Sequence, residues 1–554
     1  MKRQSVVLVM FIVVCLLAAC GPTPEPQVVE KDKLVTQIVK ETVIVAGTPE
    51  IVEKVITATP APVSQREIVI ATEETLETVD PHIDIKSLNR NVTSMMFDAL
   101  VWRNADMQLV PGLAESWEAV DNLTYVFHLR KGVRFHNGEE FTADDVLFSF
   151  ERMQTPSADG PYAPYKFRIG RYLEPFVASI EALDEYTVQF NLKAPWPIFL
   201  PRLTVWAIVP QEHVQAVGDE EFARHPIGTG PYRFVELVID DHFSVEANED
   251  YWGGAPSLKR VAFKFIPEAA TRVAALLAGE VDVISKVTPE DMPRLIADRD
   301  LRVATADSFS YSYYILNSFK PPFDDVRVRK AVNYAIDWDA IIALFEGYAV
   351  RNPLPANVFD FGYAEYADGL MQYTYNYDPD KARALLAEAG YADGFELTIS
   401  LPKGQYAKGD EIALAVAEQL AQVGIKATVE SLEAVVYEDT RYRAGEMQMG
   451  YYASGNSLFD PEGGALVVQF DPDRATGNFY RNDKVAELIH QGAQIVDLQE
   501  RVDVYRQATQ LLLEDAAYVW GIRSMELYAF SADIDWKPRS DTRIFPQEMT
   551  LITN

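Results

Sequence analysis

Cysteine is almost missing from this chain. The two that occur among its 554 residues, Cys15 and Cys20, both stand within the first twenty positions. Everything after them lacks a thiol to form a disulfide, hold a metal or act as a nucleophile. Histidine is scarce and scattered, seven in all, which excludes a histidine-rich metal cluster as the organising feature. Cations are outnumbered: 50 Lys and Arg face 82 Asp and Glu, a formal net charge of −32. Such a surface repels phosphate backbones and anionic headgroups. It excludes nucleic acid as a partner and a position flat on lipid, and it favours solubility. The apolar run Val6 to Leu17 is too short for a comfortable membrane span. No HExxH, GxSxG or nucleotide-binding glycine loop occurs, so the usual signatures of zinc hydrolases, serine hydrolases and nucleotide enzymes are absent. The enzyme reading left open is a secreted glycoside hydrolase working through a carboxylate pair, which needs no local motif.

What is there begins with Lys2 and Arg3, the apolar run, and then Leu17-Ala18-Ala19-Cys20. This is the layout of a secretory signal. Its end resembles the lipobox of bacterial lipoproteins, which implies that Cys20 becomes the lipidated first residue after residues 1–20 have served as signal. From Gly21 to about Gln65 the composition turns to Pro, Thr, Val, Glu and Lys. We read 21–65 as a flexible tether with an end-to-end distance on the order of 35–40 Å. The alternative there is short strand in the β-branched run Val28 to Val45.

The most informative stretch runs from Pro111 to Arg152. Tyr125, Phe127 and Leu129 alternate with Val126, His128 and Arg130, the period of a half-buried strand. Asn137-Gly138 tolerates positive φ and supplies a tight turn. Thr142 followed by Ala143-Asp144-Asp145 predicts a capped helix start, continued by Val146, Leu147, Phe150 and Met153. Further on, Asp378-Pro379 predicts an N-cap and first-turn proline with Gly390 as the stop. Strand Glu396 to Leu401, helix Glu411 to Val423 and strand Ile425 to Glu430 predict a βαβ unit, hence a partly parallel sheet. Gly228-Thr229-Gly230-Pro231-Tyr232 fits no phosphate-loop spacing.

LAESWE, YVFHLRKGVRFHNGE and FTADDVLFSFER together resemble the signature of family 5 extracellular solute-binding proteins. The DPH element at Asp80 to His82, GTGPYRFVE from Gly228, NEDYWGGAP from Asn248, RVAALLAGEVD from Arg272 and PPFDDVRVRKA from Pro321 (with Asp324 as N-cap) follow in matching order. The resemblance covers roughly Arg66 to Trp520. It implies an α/β, two-lobed periplasmic-binding-protein type II fold with mixed sheets flanked by helices and a ligand cleft between lobes. The implied boundaries are lobe I over 66–97, 223–318 and 520–554, an inserted subdomain over 98–222, and lobe II over 319–519.

It also implies a non-enzymatic, extracytoplasmic monomer without cofactor or metal. Tethered to the membrane by a lipid anchor at Cys20, it would capture a small molecule by hinge closure and deliver it to the permease subunits of an ATP-binding-cassette importer. Oligopeptide and oligosaccharide are the two ligand classes. In peptide-binding relatives a glycine-aromatic segment leads to an aspartate that pairs with the ligand ammonium. Here Met449 to Pro461 places Ser454 or Ser457 at that point, with Asp460 the nearest acid. A buried ammonium without a counter-charge costs several kcal/mol, a large part of the roughly −8 kcal/mol of a micromolar complex. Either Asp460 substitutes or the ligand has no free amino terminus. The ligand-binding candidates are Ser87, Asn89, Tyr311, Tyr313, Tyr451, Tyr452, Ser454, Ser457, Asp460 and Trp520, with Leu88 and Asn91 beside the first two.

Overall fold

The computed structural model describes residues 29–31, 34–45, 48–58, 66–83, 87–154, 173, 175–358, 360, 362–473 and 479–552. Two compact units divide the chain near Arg66. The first holds strands β1 (Val29–Lys31), β2 (Leu34–Val45) and β3 (Thr48–Ala58) in an antiparallel sheet, with Val35 opposite Ala58 and Val45 opposite Thr48. Strand therefore replaces the flexible coil expected over much of 21–65, because alternating β-branched residues favour extended pairing. Cys15 and Cys20 lie outside the described residues.

The second unit is built on three sheets. Strand β4 (Glu67–Thr72) is followed by the helix Ser87–Met96 and by the small hairpin β5 (Val101–Arg103) and β6 (Leu109–Pro111). Then come β7 (Ala114–Ala119), β8 (Thr124–Leu129), the helix Ala143–Gln154, β9 (Val177–Asp184) and β10 (Thr187–Leu192). These four strands form an antiparallel sheet in the order β7-β8-β10-β9, with Phe127 opposite Val188 and Tyr125 opposite Phe190. In β10 the alternation is complete, Val188, Phe190 and Leu192 being buried. In β8 Val126 is covered as well as Tyr125, Phe127 and Leu129. Asp145 Oδ2 accepts from the Thr142 N–H at 2.9 Å, the return half of the predicted capping box.

The eight-stranded sheet gathers β11 (Tyr232–Val238), β12 (His242–Ala247), β13 (Arg260–Phe265), β14 (Val283–Ile284), β15 (Leu301–Asp307), β17 (Ala349–Arg351) and β22 (Ile522–Ser531) around β4. Its order is β11-β12-β13-β4-β14-β22-β15, with β17 also paired to β22; β4 runs parallel to β13 and β14. The five-stranded sheet is β19-β18-β20-β16-β21, built from β16 (Ser310–Leu316), β18 (Phe395–Pro402), β19 (Ile425–Leu432), β20 (Met449–Gly455) and β21 (Tyr518–Trp520). The expected βαβ unit is present: β18 and β19 are parallel, Phe395 beside Ile425, joined by the helix Gly409–Ala421. Asp378 caps Pro379–Glu388 by accepting from the Lys381 N–H.

Three expectations move by a few residues. The cap of the helix Val326–Ala335 is Asp325, not Asp324, because Asp325 Oδ1 takes the Arg327 N–H at 2.8 Å. Leu277 of the RVAALLAGEVD segment, whose apolar spacing with Val273 and Leu276 predicts one buried helix stripe, is exposed at the end of its helix. Ser310–Leu316, placed before the 318/319 boundary, belongs to the five-stranded sheet, as does Trp520. The chain passes between the two larger sheets at Ser308-Phe309 and at Gly521. Gly521 fits there because a Cβ would stand 2.5 Å from the Ser312 carbonyl.

Candidate functional site

Four cavities are linked by shared lining residues, and the third of them lies between the eight-stranded and five-stranded sheets. The first, about 210 Å³, has an apolar wall of Phe97, Trp102, Val205, Trp206 and Leu458. The second, about 330 Å³, shares Arg90, Thr204, Ser457 and Arg543 with it and adds Asn91, Arg103, Ser310 and Gly455. The third, about 180 Å³, includes Lys286, Tyr311, Tyr406, Tyr451 and Glu526; the fourth, about 100 Å³, includes Glu73, Leu88, Asn91, Lys286 and Glu526. Shared lining residues make them one irregular cleft, whose two largest parts together fall in the roughly 300–1,000 Å³ range of small-ligand sites.

The wall of the first cavity is set by Asp98. Its buried carboxylate accepts from Trp102 Nε1 (3.2 Å), Thr229 Oγ1 (2.9 Å), Tyr251 Oη (3.0 Å) and Trp252 Nε1 (2.8 Å). Burial pushes its pKa up against these four donors. The GTGPY and NEDYW landmarks thus act as fasteners. Gly228 and Gly230 are needed because a Cβ at either would lie within 2.6 Å of the backbone at Met95–Met96, and Asn248 donates to the Gly230 carbonyl.

A second buried network braces the same wall from behind. Arg152, from the end of the central signature, donates to Asp80 at 2.5 and 3.1 Å, to His82 Nδ1 at 2.9 Å and to Asp219 at 2.9 Å. His82 Nε2 therefore carries the proton and donates to the Ala207 carbonyl, 2.8 Å away. Burial and the adjacent guanidinium hold His82 down to about 4. Arg152 keeps Asp80 ionised in spite of burial, which opposes it. Asp80 and His82 of the DPH element are structural support, while Pro81 between them lines the first cavity.

Where the first two cavities meet, arginines converge: Arg90 from the helix Ser87–Met96, Arg103 from β5, Arg202, and Arg543 from the C-terminal segment. Arg103 donates to the carbonyls of Met107 (2.7 Å) and Leu458 (2.5 Å). The acids beside them are engaged: Asp541 accepts from Arg539 at 2.9 and 3.0 Å, and Asp98 has its four donors. Burial and the neighbouring charges of Arg90 and Arg539 lower Arg543 to about 10, with Asp541 opposing.

The expected ligand contacts divide sharply. Ser457, Tyr311 and Tyr451 line the cleft, as do Asn91 and Leu88. Ser454 bonds to the Tyr313 hydroxyl at 2.7 Å, and Tyr313 packs on Tyr518, Trp520 and Tyr452 within the core. Tyr452 stacks on Tyr442, and Trp520 is buried with Phe470 and Tyr518. Asn89 is also buried, donating to the Thr78 carbonyl, and Ser87 opens its helix. Asp460 is already partnered. Its Oδ2 pairs with Arg501 at 2.5 Å, both side chains being 4% exposed, and its Oδ1 accepts from the Glu462 N–H, which holds a turn. The reading along the chain missed Trp102, Arg90, Arg202, Lys286, Tyr406, Glu526 and Arg543, because they come from seven separate segments without a shared motif. An unusually basic, aromatic stretch such as Val101-Trp102-Arg103 was the one local signal.

The profile described as bacterial extracellular solute-binding proteins, family 5 Middle, matches residues 108–472. Heme-binding protein A of Haemophilus influenzae is 31% identical over 468 residues, 79% of this chain and 84% of that protein. The dipeptide-binding protein of Escherichia coli is 30% identical over 486 residues, 82% and 89% of the two chains. The ABC transporter-associated periplasmic binding protein DppA of Helicobacter pylori, solved with the peptide STSA, superposes with a TM-score of 0.74 at 28% identity, covering 88% of this chain and 98% of that one. The α/β fold with mixed sheets is that of these binding proteins, and such relatives are solute-binding transport proteins, not enzymes. This chain belongs to the bacterial extracellular solute-binding proteins of family 5.

Proposed function

We propose that this chain is the extracytoplasmic receptor of an ATP-binding-cassette importer, holding one small, peptide-sized solute in the cleft and presenting it to the permease by hinge closure. The observation that carries this reading is the origin of the cleft walls. The third cavity draws lining residues from both large sheets, Tyr311 and Tyr451 from one and Ser524 and Glu526 from the other, and the chain links those sheets through short crossings at Ser308-Phe309 and Gly521. A ligand touching both walls stabilises the closed arrangement by its differential affinity. The two halves on either side of the crossings act as lobes, with the four-stranded sheet as an addition to the first. A dipeptide-binding relative and a heme-binding relative support transport of an organic solute without selecting which one. With Asp460 committed to Arg501, a solute without a free ammonium fits the cleft better than a free peptide amino terminus.

The test is small-angle scattering together with mass spectrometry of whatever co-purifies with the native protein. Release of a small solute on unfolding, and a larger radius of gyration once it is removed, are expected. An unchanged radius between emptied and loaded protein overturns hinge closure. Anchoring through Cys20 belongs to the same proposal: Cys20→Ser is expected to move the protein from the detergent phase to the aqueous phase. Among the described residues no helix is long and apolar enough to cross a membrane.

A further inference from the structure

We propose that Arg543 and Arg90 form an anion seat at the junction of the first two cavities, which takes the carboxylate of an organic acid whose apolar body lies against Trp102, Phe97 and Leu458. This rests on the reading of the cleft as the solute site. Both arginines line both cavities, so an anion placed between them is reached from either side.

The electrostatic case is local and runs against the bulk charge. The whole chain carries −32, yet the acids that line this junction among the described residues, Asp98 and Asp541, are already bonded to other donors. Arg543 donates to Ser94 Oγ at a long 3.5 Å and stands 5.9 Å over the Phe545 ring. Neither contact supplies a negative charge, and Asp541, which does attract it, is bonded to Arg539. A partly buried guanidinium held mainly by a hydroxyl and a ring has lost hydration that an incoming carboxylate restores through charge-assisted hydrogen bonds. Its pKa, lowered to about 10 first by burial and then by Arg90 and Arg539 against the pull of Asp541, still leaves it charged at neutral pH.

The neighbouring wall decides what else the ligand carries. Beside the arginines the first cavity is aromatic and aliphatic, and the indole N–H of Trp102 is occupied by Asp98. The hydroxyls that also line it, Thr93, Ser94, Thr204 and Ser457, suit a neutral polar group, whereas the lining carboxylate, Asp98, is held by its four donors and offers little to an ammonium. An acid with an aromatic or branched apolar body and no ammonium matches this arrangement, as an N-acyl amino acid does.

The experiment uses the mature protein, unfolded and refolded to empty it, and titrates N-acetylated aromatic and branched amino acids beside their primary amides by calorimetry. Acids are expected to bind roughly 10–100-fold more tightly than the matched amides. Arg543→Gln should erase that preference, Arg90→Gln should reduce it, and Arg543→Lys should retain part of it. Circular dichroism and melting temperature establish that each variant is folded, and Arg90→Gln, on a different element, keeps the test decisive if Arg543 variants do not fold. Equal binding of acids and amides, or an acid preference that survives Arg543→Gln, overturns the seat while leaving the cleft reading intact. Binding of free peptides or phosphorylated compounds in preference to the acids also overturns it. Failure of every compound in the panel to bind overturns the cleft reading and the seat together.

Discussion

Arg152 shows how much one side chain can be asked to hold. It is 4% exposed and bonds Asp80, His82 and Asp219 at once. Removing it strands Asp80 as a buried, unpaired charge, a change that costs about 3–5 kcal/mol. Arg152→Met is therefore expected to lower stability by that amount in urea denaturation, while Asp219→Asn, at the more exposed end, costs far less. Titration at other buried residues sets the pH profile. His82 and His136 are held neutral down to about 4, the first by burial and Arg152, the second by burial. The unfolded chain takes up protons below about 6.5 where the folded chain does not, so stability falls as pH drops from 6.5 towards 4, by about 3 kcal/mol for each histidine. Asp360 works in the opposite direction. Burial and the charge of Asp460 raise it to about 8, so the folded state keeps a proton that the unfolded state releases near 4. Its contribution is lost as pH rises towards 8, and between pH 6.5 and 8 the loss is about 2 kcal/mol. Asp360→Asn is expected to flatten that upper limb of the stability profile, and equal slopes in parent and variant would contradict the assignment.

At the scale of elements, the legible parts were those whose signal is local. The capped helix start at Thr142-Ala143, the Asp378-Pro379 start and the strand-helix-strand run from Phe395 to Leu432 all formed within a residue or two, since periodicity and capping depend on neighbours along the chain. Ser310–Leu316 differs. Six of its seven residues are buried, both faces being covered, which makes it an interior strand of the five-stranded sheet and turns most of its tyrosines into core. Tyr313, expected at the ligand, is packed in that core. The crossing beside it is sterically tight: at Gly521 a new methyl would meet the Ser312 carbonyl at 2.5 Å and the Trp338 ring at 3.0 Å. Gly521→Ala is expected to cost about 1–3 kcal/mol in denaturation, whereas Gly132→Ala, where a Cβ meets nothing within 4 Å, loses only the smaller cost of a non-glycine residue at positive φ.

For the whole molecule, the question is what holds the two sides of the cleft together. Leu458, from the segment after β20, packs into the core of the four-stranded sheet, and Arg103 donates to its carbonyl. Lys408 forms an ion pair with Glu290, but with the Glu290 carboxylate open to solvent a pair of this kind contributes about 0–1 kcal/mol. The apolar contact should dominate. Leu458→Ala removes a nearly fully buried side chain and is expected to weaken the closed arrangement by about 2–5 kcal/mol. In scattering the ligand-free variant should be more expanded than the parent and should release ligand faster, while Lys408→Ala should change neither measurably. If Leu458→Ala and the parent share one radius of gyration and one release rate, Leu458 does not hold the seam.

The amino-acid order by itself determined the family, the α/β class, the order of the strands and helices and the absence of thiol chemistry, because each of these is written in nearest-neighbour patterns or in composition. It could not determine which polar side chains face the cleft. Arg543 and Ser94 are 449 positions apart, and Asp80 and Arg152 are 72 apart. Nothing along the chain distinguishes an arginine that braces the core from one that looks into a cavity. That choice was made only when the strands paired and the chain crossed at Gly521, since burial and counter-charge are properties of what surrounds a residue in space.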